Sequence, residues 1–134
     1  AFKNKIMPAS NSILLPAVLG SSAVMLGAMG AHALKPLLTI DQLQSFETAV
    51  RYQLIHSLGL FFLALLKPET LHSLRWTQRF WQYGIFLFSG SIYLLLLFKT
   101  LLPHLNYTWL GLLTPLGGLC LIAGWLSAVK LKSS

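Results

Sequence analysis

Four long apolar runs, separated by short polar pieces, leave this chain few ways to fold. They cover residues 12–34, 46–66, 79–98 and 107–129. The second is closed by Lys67-Pro68, the third by Lys99 and Pro103, and the fourth by Lys130 and Lys132. A helix needs about 20 mostly apolar residues to cross about 30 Å of hydrocarbon, and each run meets that length. None alternates with the period-two pattern of a barrel strand. The sequence is 55% hydrophobic and 10% charged, against about 25% charged in a soluble domain. So few charges cannot cover a globular surface, and the bilayer must serve as solvent for most of the chain. The expected fold is all-α: one membrane domain over 1–134, an integral bundle of four transmembrane helices.

The formal charge of +7 would elsewhere suggest nucleic acid. Here the basic residues stand singly at the edges of apolar runs, so they read as topology and no nucleic acid is expected. Four spans put Lys3, Lys5, Lys67, Arg75, Arg79, Lys130 and Lys132 on one side, and Lys35, Arg51 and Lys99 on the other. By the positive-inside rule the richer side is cytoplasmic, with both termini on it. Trp76, Trp81 and Trp125 then mark the inner interface, and Tyr52, Tyr107 and Trp109 the outer one. Lys3 and Lys5 followed by an apolar run, with Ala31-His32-Ala33 behind it, imitate a signal peptide. A signal core holds only about 7–15 apolar residues, so the first run is expected to stay as a span. Cys120 is the single cysteine, which excludes a disulfide framework.

Between the first two runs, Thr39 and Gln42 have the spacing of a capping box. Ile40, Leu43, Phe46 and Val50 follow at helical spacing, opposite Asp41, Gln42 and Gln44. That pattern predicts a short amphipathic helix lying in the interface between spans one and two. Glu47 and Arg51, four apart in acid-first order, are placed to pair.

In lipid, helices associate through small residues and a few hydrogen bonds. Gly20, Ala23, Gly27 and Ala31 in the first run, Gly90 in the third, and Gly117 and Gly118 in the fourth are the candidate packing positions. Gly30, Gly84, Gly111 and Gly124 stand near them, and Pro115 is expected to kink the fourth helix.

Polar groups at membrane depth are functional candidates by default. His32, Arg51, Gln53, His56, Ser89 and Tyr93 form the candidate polar cluster, since the topology brings the end of run one and the start of run two to one leaflet. Its plainest role is to lock helices together; proton relay, ion binding and haem or metal ligation are the alternatives. No metal or cofactor is assigned, because His32, His56 and His104 share no ligand spacing. There is no G-x-S-x-G, H-E-x-x-H or P-loop, and Asp41, Glu47 and Glu69 all fall at loops or helix ends. No catalytic activity is expected.

Four stretches carry a resemblance. They are Gly27-Ala28-Met29-Gly30-Ala31-His32-Ala33-Leu34, Thr48-Ala49-Val50-Arg51-Tyr52-Gln53 with His56, Leu87-Phe88-Ser89-Gly90-Ser91-Ile92-Tyr93, and Thr114-Pro115-Leu116-Gly117-Gly118. In this order they resemble the YgdD-like family, a domain of unknown function numbered 423, related to the small transmembrane protein 256 group of eukaryotes. The resemblance covers about residues 12–129, with Met29 standing where many relatives are expected to have Phe. It implies four helices in a bacterial inner membrane and carries no biochemical activity. The expected role is therefore a structural or accessory subunit of a larger membrane complex, such as a respiratory enzyme. The alternative is a small homo-oligomeric transporter or channel using the cluster around Arg51 and His56.

Overall fold

The structure, a computed structural model, describes residues 9–133, with side chains over 13–131. Lys3, Lys5 and the side chain of Lys132, three of the seven basic groups used for topology, lie outside that range. All regular structure among the described residues is helical. Helix α1 spans Ala9–Ala31, α2 Ile40–Ala64, α3 Pro68–Ser73, α4 Arg75–Ile85, α5 Ser91–Leu101 and α6 Thr108–Ser127. A π-helical turn, Phe86–Gly90, joins α4 to α5 as one rod, and a 3-10 turn, Ala128–Ser133, follows α6. Among the described residues three helices are long and apolar enough to cross a membrane: Ile13–Ala31, Arg75–Leu101 and Thr108–Leu131.

Helix α2 is not among the three. Its first half carries Asp41, Glu47 and Arg51, and its packed face carries Gln53, His56 and Ser57. The capping box forms, with Thr39 Oγ1 accepting from the Gln42 backbone and Gln42 Oε1 accepting from the Thr39 backbone. It opens α2 itself, however, rather than a separate interfacial helix. No proline interrupts the sequence from Ile40 to Ala64, so once nucleated the helix runs on. Glu47 and Arg51 are both exposed and form no ion pair. The third span also starts earlier than expected, at Arg75, because α3 takes up only Pro68–Ser73 of the preceding connection.

Close approaches fix the register of the helices. Gly20 faces Ser57, Gly27 faces Val50 and Gly30 faces Phe46, so α1 and α2 run antiparallel. Gly84 faces Leu121, Gly117 faces Phe88 and Gly124 faces Trp81, so the α4–α5 rod and α6 do likewise. Helix α2 packs against the rod through Gly59, which lies under the Trp81 ring. The core joins Leu19, Leu60, Leu63, Leu74, Trp81, Ile85 and Leu121.

Gly117 makes the tightest of these contacts. A Cβ there would sit 2.2 Å from the Phe88 backbone nitrogen and 2.6 Å from the Leu87 carbonyl carbon. Backbone meets backbone at the π-turn, where widened winding brings the chain towards its neighbour. Ala23 is fully buried, and a Cβ on Gly27 would lie 3.4 Å from Val50. Ala31 is exposed and a Cβ on Gly90 would meet nothing within 4 Å, while a Cβ on Gly20 or Gly118 would be accommodated in ordinary contact, 3.9 Å from Ser57 and 3.7 Å from Phe88. A Cβ on Gly59, a position the sequence pattern did not single out, would come within 2.7 Å of the Trp81 ring.

Outward faces are apolar, as a lipid-facing surface requires. Leu14, Val18, Val24 and Met25 of α1, Leu58 and Phe62 of α2, and Leu112, Leu119 and Ile122 of α6 are all exposed.

Candidate functional site

Gln53 is the centre of the polar groups. It lies on the α2 face that also buries Ala49, His56 and Leu60, the i, i+3/i+4 stripe that points inward. Its Nε2 donates to the Leu19 carbonyl and to Ser22 Oγ, both at 2.8 Å, which ties α2 to α1. Its Oε1 accepts from the Tyr93 hydroxyl at 2.8 Å, which ties α2 to α5. One amide thus links three helices, and both its donors are used. Buried amides without partners cost about 1–3 kcal/mol, so this arrangement fixes the relative register of α1, α2 and α5.

Ser89, in the π-turn, donates to the Ala49 carbonyl at 2.6 Å. Ser57 returns its hydroxyl to the Gln53 carbonyl at 2.5 Å. His56 Nδ1 lies 2.7 Å from the Tyr52 carbonyl, which can only accept, so this nitrogen carries the hydrogen. Its Nε2 accepts from Trp125 Nε1 at 2.9 Å. The two bonds define one neutral tautomer. An imidazolium, with hydrogen on both nitrogens, could not accept the indole bond. The His56 ring meets those of Trp81 and Trp125 edge to face, each at 5.9 Å, and the two indoles lie tilted against each other at 4.9 Å. Trp81 Nε1 is buried without a hydrogen-bond partner, pressed against Gly124.

Of the six expected cluster residues, four are brought together along one side of α2: Gln53, His56, Ser89 and Tyr93. His32 and Arg51 are not. Both side chains are exposed, His32 because it follows the last turn of α1 and Arg51 because it projects from the α2 face opposite Gln53 and Ala49. Ser22 and Trp125 complete the network instead. The apolar periodicity of their helices gave no sign of it, since α1 and α6 are apolar on every face.

Two cavities adjoin the network. One of about 220 Å³ lies beside Ser22, Gln53, Ser89, Gly90 and Tyr93. It shares Leu26 and Tyr93 as a common wall with an apolar cleft of about 390 Å³ between the end of α1 and α5. No group of three or more His, Cys, Asp or Glu side chains that could hold a metal ion occurs among the described residues. The site as built holds helices in register and borders a lateral, apolar cleft.

Comparison with known proteins agrees with this membrane architecture. The family described as "Protein of unknown function (DUF423)" matches residues 26–118. The UPF0382 membrane protein YwdK of Bacillus subtilis is 38% identical over 119 residues, covering 87% of this chain and 91% of its own. A UPF0382 membrane protein of Staphylococcus haemolyticus is 36% identical over 117 residues, covering 87% and 90%. The UPF0382 inner membrane protein YgdD of Escherichia coli is 33% identical over 125 residues, covering 90% of each. No solved structure matches the chain. A chain of apolar helices that shares this much of its length with such relatives belongs to the DUF423 family of membrane proteins.

Proposed function

We propose that this protein is a non-catalytic accessory subunit of a larger inner-membrane complex, built as a four-helix transmembrane bundle with both termini in the cytoplasm. Treating α2 as the fourth span rests on its length and its faces. Its 25 residues extend about 37 Å at 1.5 Å per residue. Gln53, His56 and Ser57 turn inward while Leu54, Ile55, Leu58, Phe61 and Phe62 turn out. The orientation rests on Lys67, Arg75, Arg79 and Lys130 gathering at the end that carries α3.

One observation carries the accessory role: the polar groups are spent on one another, while the cleft beside them stays apolar and open. Gln53, His56 and Ser89 bond to groups within the chain, and the larger cleft next to them is lined almost wholly by apolar side chains. The transport alternative therefore draws no support from the site, and Arg51, its intended centre, projects away. A transmembrane helix of a partner, laid along α1 and α5 over Leu26, Met29, Leu97 and Gly90, is the occupant this surface suits. It would find apolar side chains and a glycine with nothing against it.

A photo-crosslinking residue at Met29 or Leu97, introduced in cells, tests the reading. The expected product is one discrete adduct with a second membrane protein, absent when the crosslinker replaces Leu119 on the far side of α6. Adducts with another copy of this chain alone, or equal adducts from both faces, would overturn it.

A further inference from the structure

A separate groove lies at the end of the molecule where α5 turns into α6. Two cavities meet there, of about 420 and 720 Å³, and both are lined by Leu95, Lys99 and Gly111. The smaller runs up to Asp41 and Thr48 on α2 and to Thr114 on α6. The larger is walled by Leu105, Tyr107 and Leu112. The groove exists because α6 is held tightly to the rod at its other end, by Gly84, Gly117 and Gly124, and leaves α5 before the turn. A glycine in a helix interior costs about 1 kcal/mol relative to alanine. A Cβ on any of those three would clash, with the Leu121 side chain, the Phe88 backbone or the Trp81 ring, whereas a Cβ on Gly111 would meet nothing within 4 Å. Packing inside the chain does not ask for glycine there; keeping the groove open does.

The charges in the groove are complementary to a single class of ligand. Lys99 supplies a cation in the last turn of α5 and Asp41 an anion in the first turn of α2, and they form no ion pair with each other. The wall between and below them is Ile92, Leu95 and Leu96, facing the hydrocarbon depth of the span. A ligand matching this pattern has an anionic and a cationic group a few atoms apart and an apolar tail. We infer that the groove seats a zwitterionic phospholipid of the aminoethyl phosphate class, its phosphate at Lys99, its ammonium towards Asp41 and one chain along Leu95 and Leu112. A primary ammonium can donate hydrogen bonds to the Asp41 carboxylate and to Thr48, which a trimethylated amine cannot. An anionic headgroup would set its second oxygen-rich end against Asp41 without compensation.

Native mass spectrometry of the full chain, released from micelles containing equal amounts of phosphatidylethanolamine, phosphatidylcholine and phosphatidylglycerol with identical acyl chains, tests this. The expected result is one retained lipid, predominantly phosphatidylethanolamine. Lys99→Gln should lower retention about tenfold, the worth of one charge-assisted hydrogen bond. Asp41→Asn should erase the preference over phosphatidylcholine while leaving retention. Gly111→Leu should fill the groove and abolish retention while the helical content and melting of the chain stay unchanged. Should Gly111→Leu fail to fold, the exposed Lys99→Gln decides. Equal retention of the three headgroups, a preference for phosphatidylglycerol, or wild-type retention by Lys99→Gln would overturn the inference.

Discussion

Replacing Gly117 by alanine asks whether the backbone approach at the π-turn holds the molecule together. The added Cβ would lie 2.2 Å from the Phe88 nitrogen, 2.6 Å from the Leu87 carbonyl carbon and 2.7 Å from the Phe88 Cα. All three are backbone atoms, so no flexible side chain can yield; α6 and the rod must separate or the π-turn must unwind. Overpacking of a well-filled interior costs about 1–3 kcal/mol. Alanine's better helix propensity returns up to about 1 kcal/mol. A clash against unyielding backbone belongs in the upper part of the overpacking range, about 2–3 kcal/mol, so the net loss is about 1–2 kcal/mol, a factor of about 5–30 in the ratio of folded to unfolded molecules. Gly111→Ala is the matched control, on the same helix with nothing within 4 Å of the new methyl, and it should be neutral or slightly stabilising. Both variants can be unfolded by raising the mole fraction of sodium dodecyl sulfate in mixed micelles, followed by far-ultraviolet circular dichroism. Equal midpoints for the two variants, or a wild-type midpoint for Gly117→Ala, would refute the claimed contact.

Gln53→Leu removes three hydrogen bonds linking α1, α2 and α5 and should cost about 1–3 kcal/mol, whereas Tyr93→Phe removes one of them and should cost about 0.6 kcal/mol; sodium dodecyl sulfate unfolding ranks the two. His56→Ala and Trp125→Phe each break the 2.9 Å indole–imidazole bond, and their double-mutant cycle should show a coupling of about 0.6 kcal/mol or more. Arg51→Ala, at an exposed position without an ion pair, should leave stability within about 0.5 kcal/mol of the parent.

The apolar runs were legible because bilayer thickness translates directly into residue count, and three of them became helices both long and apolar enough to cross a membrane. The capping box at Thr39 and Gln42 was legible too, since it depends on residues three apart. Whether that box opened a separate helix was not, for nothing local distinguishes a short interfacial turn from the first turn of a long helix. Gln53, His56, Ser89 and Tyr93 could be grouped from topology alone. Their partners Ser22 and Trp125 could not, because α1 and α6 are apolar all round and periodicity cannot say which face meets a neighbour. His32 and Arg51 were drawn into the cluster by depth, whereas exposure is decided by the angular position of a side chain on its helix. Glycine counts located close packing in general, but not the difference between Gly117, against a backbone, and Gly90 or Gly111, against nothing. The π-turn leaves no mark in residue type, and it is the element that brings Phe88 up to Gly117.

Purification of the native protein from membranes in mild detergent, with mass spectrometry of what stays bound, tests the central claim most directly. An accessory subunit should come through gentle washing in constant stoichiometry with at least one larger membrane protein, and Gly90→Leu, which fills the smaller cavity next to the lateral cleft, should release it. Recovery of this chain alone or only with copies of itself, or a Gly90→Leu variant that keeps its partner, would contradict the account.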